Sequence, residues 1–424
     1  MNGRSVLVAW AAGALALLLI AGCGLRGIGT TGRQGAQADQ RGAILDKQLK
    51  GSASLNEVNA VAEKFLTAGD FPRAKFGVDW YRIEFQSLDR DGSPLRLVAQ
   101  VFAPKTDQAA TLPVYVFGPG TTGLNDTCAP SNEQPDVRSW GDFHSHMLTY
   151  AMQGYVAVVP DYEGFDDGPR LHHYYVGELQ GRALLDAARA GLRFFDESGT
   201  APAKPKPNPV FLAGYSNGGY AALAARDLAP KYAPELQVKG VIGYGPRSDV
   251  STLFKEMPSL GPYVLYSYAD YYGRDKVPFE RIVQPGVQRT LERDVTTKCI
   301  DEIVGYYGAD PAAVFTPEFV SALRQGTLAQ QFPVLKQLFD QNKAGVSPDS
   351  KLIPVLVLHS AKDTVVEPAT LQAYMKELCG AGGRGQYVAY PDIPHTLIRQ
   401  TGYADAIHWI ESITKGQLPK NDCL

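Results

Sequence analysis

Ser216 lies in Gly214-Tyr215-Ser216-Asn217-Gly218, a serine between flanking glycines. A serine hydroxyl is a poor nucleophile near neutral pH, so it needs an imidazole to take its proton and a carboxylate to orient that imidazole. The preceding Pro209-Val210-Phe211-Leu212-Ala213 reads as a short buried strand, and the following Tyr220-Ala221-Ala222-Leu223-Ala224-Ala225 reads as a helix. A turn from strand into helix forces the serine into a strained backbone conformation. Only glycine-sized neighbours let the two elements approach closely enough to hold it there. The stretch therefore has the local form of a presented nucleophile.

An acid and then a base should follow such a serine in chain order. His395 sits in Asp392-Ile393-Pro394-His395-Thr396, just after an apolar run at 387–390, where a catalytic histidine belongs. His408 falls inside a helical pattern beside Trp409 and is expected to pack. For the acid, the run Pro354-Val355-Leu356-Val357-Leu358 leads through a short loop to Asp363, which can reach His395 from a strand's carboxyl end. Asp392 is too near His395 in sequence to approach its ring, and Asp301 falls in a long insertion. The competing role for Asp363 is a helix cap ahead of the segment after Pro368.

A tetrahedral intermediate also needs donors for its oxyanion. One is the backbone N–H of Asn217. The other is expected from Gly118-Pro119-Gly120-Thr121-Thr122-Gly123, which follows an apolar run at 114–117, because amides in a glycine-rich turn can point at an anion. A phosphate loop is the rival reading, but no Gly-Lys-Ser/Thr follows. This chemistry requires no metal or organic cofactor.

The elements that must position these residues alternate along the chain. Strands are predicted at 97–102, 114–117, 155–159, 210–213, 241–244, 353–358 and 387–390, and helices at 58–66, 143–152, 176–195, 218–228, 369–378 and 403–413. Strands separated by helices argue for the α/β class, a mainly parallel central sheet with helices on both faces and reactive loops at the strands' carboxyl ends. The alternation breaks at 247–350, which reads as a helical cap with helices at 312–323 and 328–339. Its Tyr263, Tyr266, Tyr268, Tyr271 and Tyr272 either face an acyl chain or pack cap against core. The folded core is then 55–246 with 351–424.

At the N-terminus Arg4 precedes an apolar run at 6–20 that ends in Ile20-Ala21-Gly22-Cys23. A run this short with small residues at its end reads as an export signal rather than a spanning helix. Residues 1–23 resemble a bacterial lipoprotein signal, after which Cys23 would be lipid-modified and hold the protein at a membrane of the cell envelope; plain secretion is the alternative. Residues 24–54, rich in Gly, Gln and Arg, are expected to be a flexible tether.

Beyond Cys23 the chain has Cys128, Cys299, Cys379 and Cys423, an even number in an oxidising compartment, so two disulfides are expected. Four cysteines allow three connectivities, and spacing does not choose among them. The net charge of −3, without a basic run, argues against nucleic acid as a partner.

Further stretches carry a family likeness. They are Gly120-Thr121-Thr122-Gly123 ahead of Cys128-Ala129-Pro130-Ser131, Val158-Val159-Pro160-Asp161-Tyr162-Glu163-Gly164, and Leu184-Leu185-Asp186-Ala187-Ala188-Arg189-Ala190. Gly214 to Gly219, Ala229-Pro230-Lys231-Tyr232-Ala233-Pro234-Glu235-Leu236 and Glu377-Leu378-Cys379 complete the set. In these the chain resembles the fungal and bacterial secretory lipases of the α/β-hydrolase fold. The resemblance implies Ser216 as nucleophile, Asp363 as acid, His395 as base, Thr122 and Asn217 as oxyanion donors, and disulfides pairing Cys128 with Cys299 and Cys379 with Cys423. It departs at Gly118-Pro119, where many bacterial members carry a histidine beside the glycine, and at Asn217, where some relatives carry glycine. The function expected is an exported serine hydrolase cleaving carboxylic esters through an acyl-enzyme, on acylglycerols or on short-chain esters. A peptidase and a non-catalytic surface lipoprotein are the more distant readings.

Overall fold

A computed structural model describes residues 40–66, 71–108, 111–134, 137–196 and 208–423. The expected signal and Cys23 lie outside the described residues. The chain enters the fold earlier than its composition suggests, as strand β1 (Ile44–Ala53) followed by helix α1 (Leu55–Phe65). This corrects the tether expected to run to residue 54. β1 is an edge strand whose inward ends, Ile44 and Ala53, are buried while Leu45 to Gly51 face largely outward, so it lacks the apolar alternation that marks a half-buried strand. Ser54 then caps α1 reciprocally with Glu57: the Ser54 amide donates to Glu57 Oε2 at 2.7 Å, and the Glu57 amide donates back to Ser54 Oγ.

β2 (Val78–Leu88) and β3 (Pro94–Pro104) extend the antiparallel edge. Then β4 (Val114–Gly118), helix α2 (Phe143–Ala151), β5 (Val156–Pro160), α3 (Gly177–Arg193), β6 (Val210–Tyr215), α4 (Asn217–Tyr232), β7 (Val238–Tyr244), β8 (Val355–Ser360) and β9 (Gly385–Tyr390) alternate as expected. The nine strands lie in the order β1-β2-β3-β5-β4-β6-β7-β8-β9, parallel from β5 through β9. β4, β5, β6 and β8 are buried along their whole length, which is why they read as continuous apolar runs. Side chains of α3 and α4 close one face of the sheet. Those of α1, α2 and the C-terminal helix Tyr403–Thr414 close the other.

Between β7 and β8 the chain forms only short helices, among them Gly261–Tyr272, Ile300–Tyr307, Pro317–Gln325 and Pro333–Gln341. The helices expected at 312–323 and 328–339 are each broken in two. Pro317 and Pro333 each start a new helix, because proline lacks the N–H that would continue the preceding one. Of the tyrosines in Gly261–Tyr272, Tyr263 and Tyr268 pack into the core, while Tyr266, Tyr271 and Tyr272 are half-buried. Tyr263 and Tyr268 are fully buried and donate to the Lys298 and Tyr175 carbonyls, and the Tyr272 hydroxyl accepts from Asn342. One cluster of buried side chains runs from α3 and α4 into this inserted segment at Phe254, Phe315, Phe319 and Phe339. Among the described residues no helix is long and apolar enough to cross a membrane.

Candidate active site

β6 delivers Ser216 to the carboxyl edge of the sheet, and α4 starts at the next residue. Ser216 adopts φ 55° and ψ −115°, a conformation that L residues avoid, and its amide donates to the Tyr244 carbonyl at 3.0 Å. The glycines explain how the turn closes. A methyl on Gly214 would run into the Gly218 carbonyl, and one on Gly218 into the Gly118 carbonyl at the end of β4. Three backbones thus meet where a side chain would hold them apart. Asn217, as the first residue of α4, has an amide with no intrahelical partner, at the positive end of the helix.

Asp363 follows β8 and His395 follows β9, and the structure brings them together: His395 Nδ1 lies 2.6 Å from Asp363 Oδ2. The other carboxylate oxygen, Oδ1, accepts from the amides of Val365 at 2.8 Å and Val366 at 2.9 Å. Burial works to raise the Asp363 pKa, but donors from His359, His395 and the Val366 amide outweigh it and hold the carboxyl well below the usual range. His395 Nε2 is buried with no partner among the described residues. Its ring lies 4.9 Å from that of Tyr215, and the Asp363–His395 pair packs on Gly245, the residue after the Tyr244 carbonyl that holds Ser216. A cavity of about 450 Å³ lined by Thr364, Val365, Ile393, Pro394, His395 and Thr396 opens beside the His395 ring.

The rivals are accounted for elsewhere. Asp392 is exposed and pairs with Lys362 at 3.1 Å, and Asp301 accepts from Arg138 and Trp140. His408, expected to pack, is instead exposed on its helix, and the neighbouring Trp409 takes the buried side, where Gly240 leaves room for its ring.

The loop after β4 lies over the Ser216 turn, with Gly120 flush against the Tyr215 ring. Thr122 is buried and its carbonyl accepts from the Ile300 amide at 2.7 Å, while Thr121 Oγ1 and the Tyr174 hydroxyl are 2.6 Å apart. Cys128 is bridged to Cys299, one residue before Ile300, so the loop and the segment inserted between β7 and β8 are joined covalently as well. Cys379 is bridged to Cys423, which secures the C-terminal segment where Asp422 and Asn421 bond the start of β9.

Three features were not legible in the sequence. His359, fully buried on β8, lies 3.3 Å from Asp363 Oδ2. Arg399, four residues beyond His395, is buried against Tyr215, Phe117 and Phe143 and donates to the Gly141 carbonyl; burial lowers its pKa. The third is a second carboxylate between two imidazoles. Glu163 Oε1 accepts from the His173 amide at 2.8 Å and lies 2.7 Å from His173 Nδ1. His172 Nδ1 is 3.2 Å from the Glu163 backbone carbonyl and 3.4 Å from Oε2, so its hydrogen bond goes to the carbonyl and its contact with the carboxylate is electrostatic. His173 Nε2 meets Asp270 of the cap at 2.9 Å, beside a cavity of about 410 Å³.

A strained serine between glycines at the end of a central parallel strand, with an Asp–His pair on later strand ends, defines an α/β-hydrolase. The secretory lipase family model matches residues 144–421, and the chain belongs to that family. It is 26% identical to lipase A of Moesziomyces aphidis over 361 residues, covering 81% of this chain and 74% of that protein. It is 24% identical to a secreted triacylglycerol lipase of Malassezia furfur over 380 residues, covering 86% and 72%. The fold is similar to Candida antarctica lipase A in its closed state, with TM-score 0.65 and 19% identity over 90% of this chain and 84% of that one.

Proposed function

We propose that the protein is an exported carboxylic ester hydrolase in which Ser216 attacks the ester carbonyl and His395 Nε2 takes its proton. Asp363 holds the imidazole in the tautomer that leaves Nε2 free to accept, and steadies the imidazolium that forms. The Asn217 amide and the Thr122 residue receive the developing oxyanion. The alcohol leaves with the proton from His395, and water repeats the sequence on the acyl-enzyme. The observation that carries this reading is the 2.6 Å Asp363–His395 contact with Nε2 unpartnered beside the strained serine turn.

Acylglycerols are the proposed substrates, because the most similar relatives include a secreted triacylglycerol lipase. The segment 247–350 is proposed to act as a cap over the acyl site. We also propose that Cys23 carries a lipid anchor, on the strength of the apolar run ending in Ile20-Ala21-Gly22-Cys23. If Cys23→Ser protein still partitions with membranes and takes up no labelled acyl chain, the anchor is wrong.

The catalytic reading is tested with p-nitrophenyl esters of graded acyl length and a serine-directed phosphonate. Ser216→Ala is expected to lower kcat by roughly 10⁵-fold or more with little change in melting temperature, and to abolish the adduct. Turnover that survives this substitution, or an adduct on another residue, defeats the assignment; turnover confined to short acyl chains defeats the lipase half of it.

A further inference from the structure

His359 is four residues ahead of Asp363, directly after the apolar run of β8, and is completely buried. A buried imidazole must satisfy both nitrogens, and here each has a defined partner. Nε2 lies 2.9 Å from the Val366 carbonyl and 3.3 Å from Asp363 Oδ2, and both of those oxygens only accept. Nε2 therefore carries the proton. Nδ1 lies 2.9 Å from the Tyr387 hydroxyl on β9, and in the neutral imidazole it accepts from that hydroxyl.

The consequence lies in the turn from Asp363 to Val366. The Val366 amide donates to Asp363 Oδ1, while the Val366 carbonyl is held by His359. The same Nε2–H stands beside Oδ2, the oxygen that binds His395. One side chain thus braces the peptide that fixes one carboxylate oxygen and lies against the other. Titratable groups facing Asp363 are His359, His395, Tyr387 and Tyr215.

We propose that His359 is a positioning residue for the hydrolysis. Locked by Tyr387, it fixes the Asp363 carboxylate so that His395 Nδ1 meets it in one orientation. This rests on Ser216, Asp363 and His395 being the catalytic group.

The test compares wild type with His359→Phe, which keeps a ring and removes both nitrogens, His359→Gln, which returns an N–H donor, and Tyr387→Phe. His359→Phe is expected to lower kcat roughly ten- to a hundredfold through misplacement of the base, with KM little changed. It should also move the acid limb of kcat/KM upward by roughly half a pH unit, because a carboxylate that loses a neighbouring donor stabilises the imidazolium more strongly. His359→Gln should recover most of the kcat, and Tyr387→Phe should show the same changes in smaller degree.

A fall in melting temperature with kcat and the acid limb unchanged would reduce His359 to packing and overturn the proposal. Should His359→Phe fail to fold, Tyr387→Phe decides, and an unmoved acid limb there overturns it equally. The low-field proton resonance of the Asp363–His395 bond gives a readout that needs no turnover. It should shift between wild type and His359→Gln, and its constancy counts against the brace. Absence of turnover and of a Ser216 adduct in wild type, with that resonance still responsive to His359, would instead sink the catalytic reading and leave the brace standing.

Discussion

Two carboxylates in this protein each stand between two histidines, and only one of the pairs has an imidazole nitrogen left to do work. Asp363 is flanked by His359 and His395, and His395 Nε2 is unpartnered beside Ser216's turn. Glu163 is flanked by His172 and His173, and His173 Nε2 is occupied by Asp270 from the cap. Both carboxylates are almost wholly buried and both have lowered pKa values, despite burial acting to raise them. The shared chemistry is an ionised acid that orients an imidazole. What separates a proposed base from a strut is the partner on the imidazole's far side: a place for a reacting proton in one case, a second carboxylate in the other.

The largest way to break that comparison is to neutralise each acid in turn. Asp363→Asn should lower kcat about 10⁴-fold, because the amide permits the wrong imidazole tautomer. Glu163→Gln should leave kcat within a few-fold and cost about 1–3 kcal/mol of stability from a weakened buried hydrogen bond. Steady-state kinetics and denaturant unfolding on both variants check this; a large kcat loss in Glu163→Gln would show that the strut also serves the site.

A second, intermediate effect is pH dependence of stability, with opposite signs at the two ends of the strut. Burial would raise the Glu163 pKa, but the His172 ring beside the carboxylate and the hydrogen bond with His173 hold it down to about 2. Its contribution is therefore present above the ordinary value of 4.5 and is lost as pH falls toward 2, on the order of 3 kcal/mol in all. For His173 burial would lower the pKa, yet the bonds to Glu163 and Asp270 raise it above the ordinary 6.5. Its contribution is complete below 6.5 and fades as pH rises through the raised folded value. Melting temperatures across this range should fall at both ends, and the alkaline fall should vanish in His173→Phe.

The smallest effect belongs to Asp270, whose side chain is 64% exposed. Asp270→Asn should cost no more than about 1 kcal/mol and move the alkaline fall to lower pH without touching kcat. An unchanged alkaline limb would mean that Glu163 alone sets the His173 charge.

How much of this was readable in the chain follows from where each interaction partner lies. The serine turn was legible because its requirements are local: apolar strand, glycine, serine, glycine, alanine-rich helix. Asp363 and His395 were legible as residues just past strand ends, where reactive loops gather. His359 was not, since it reads as one more residue of a buried strand until Tyr387 and Val366 are folded against it; a histidine closing the apolar run Val355-Leu356-Val357-Leu358 was the available signal. The Glu163–His173–Asp270 chain spans a core loop and the cap, a pairing that no spacing encodes. β1 was hidden by its polar outward side, and the broken cap helices by reading Pro317 and Pro333 as interior residues rather than as starts.

The bridge from Cys128 to Cys299 ties the loop over the Ser216 turn to the segment inserted between β7 and β8. With the bridge reduced, the Ile300–Thr122 hydrogen bond and the bonds from Arg138 and Trp140 to Asp301 still join those two segments. A chain still in a reducing compartment should carry a loosened loop at Thr122, proposed to receive the oxyanion, and oxidation after export should tighten it. Activity of the same preparation before and after mild reduction measures that restraint directly, and equal rates would dismiss it.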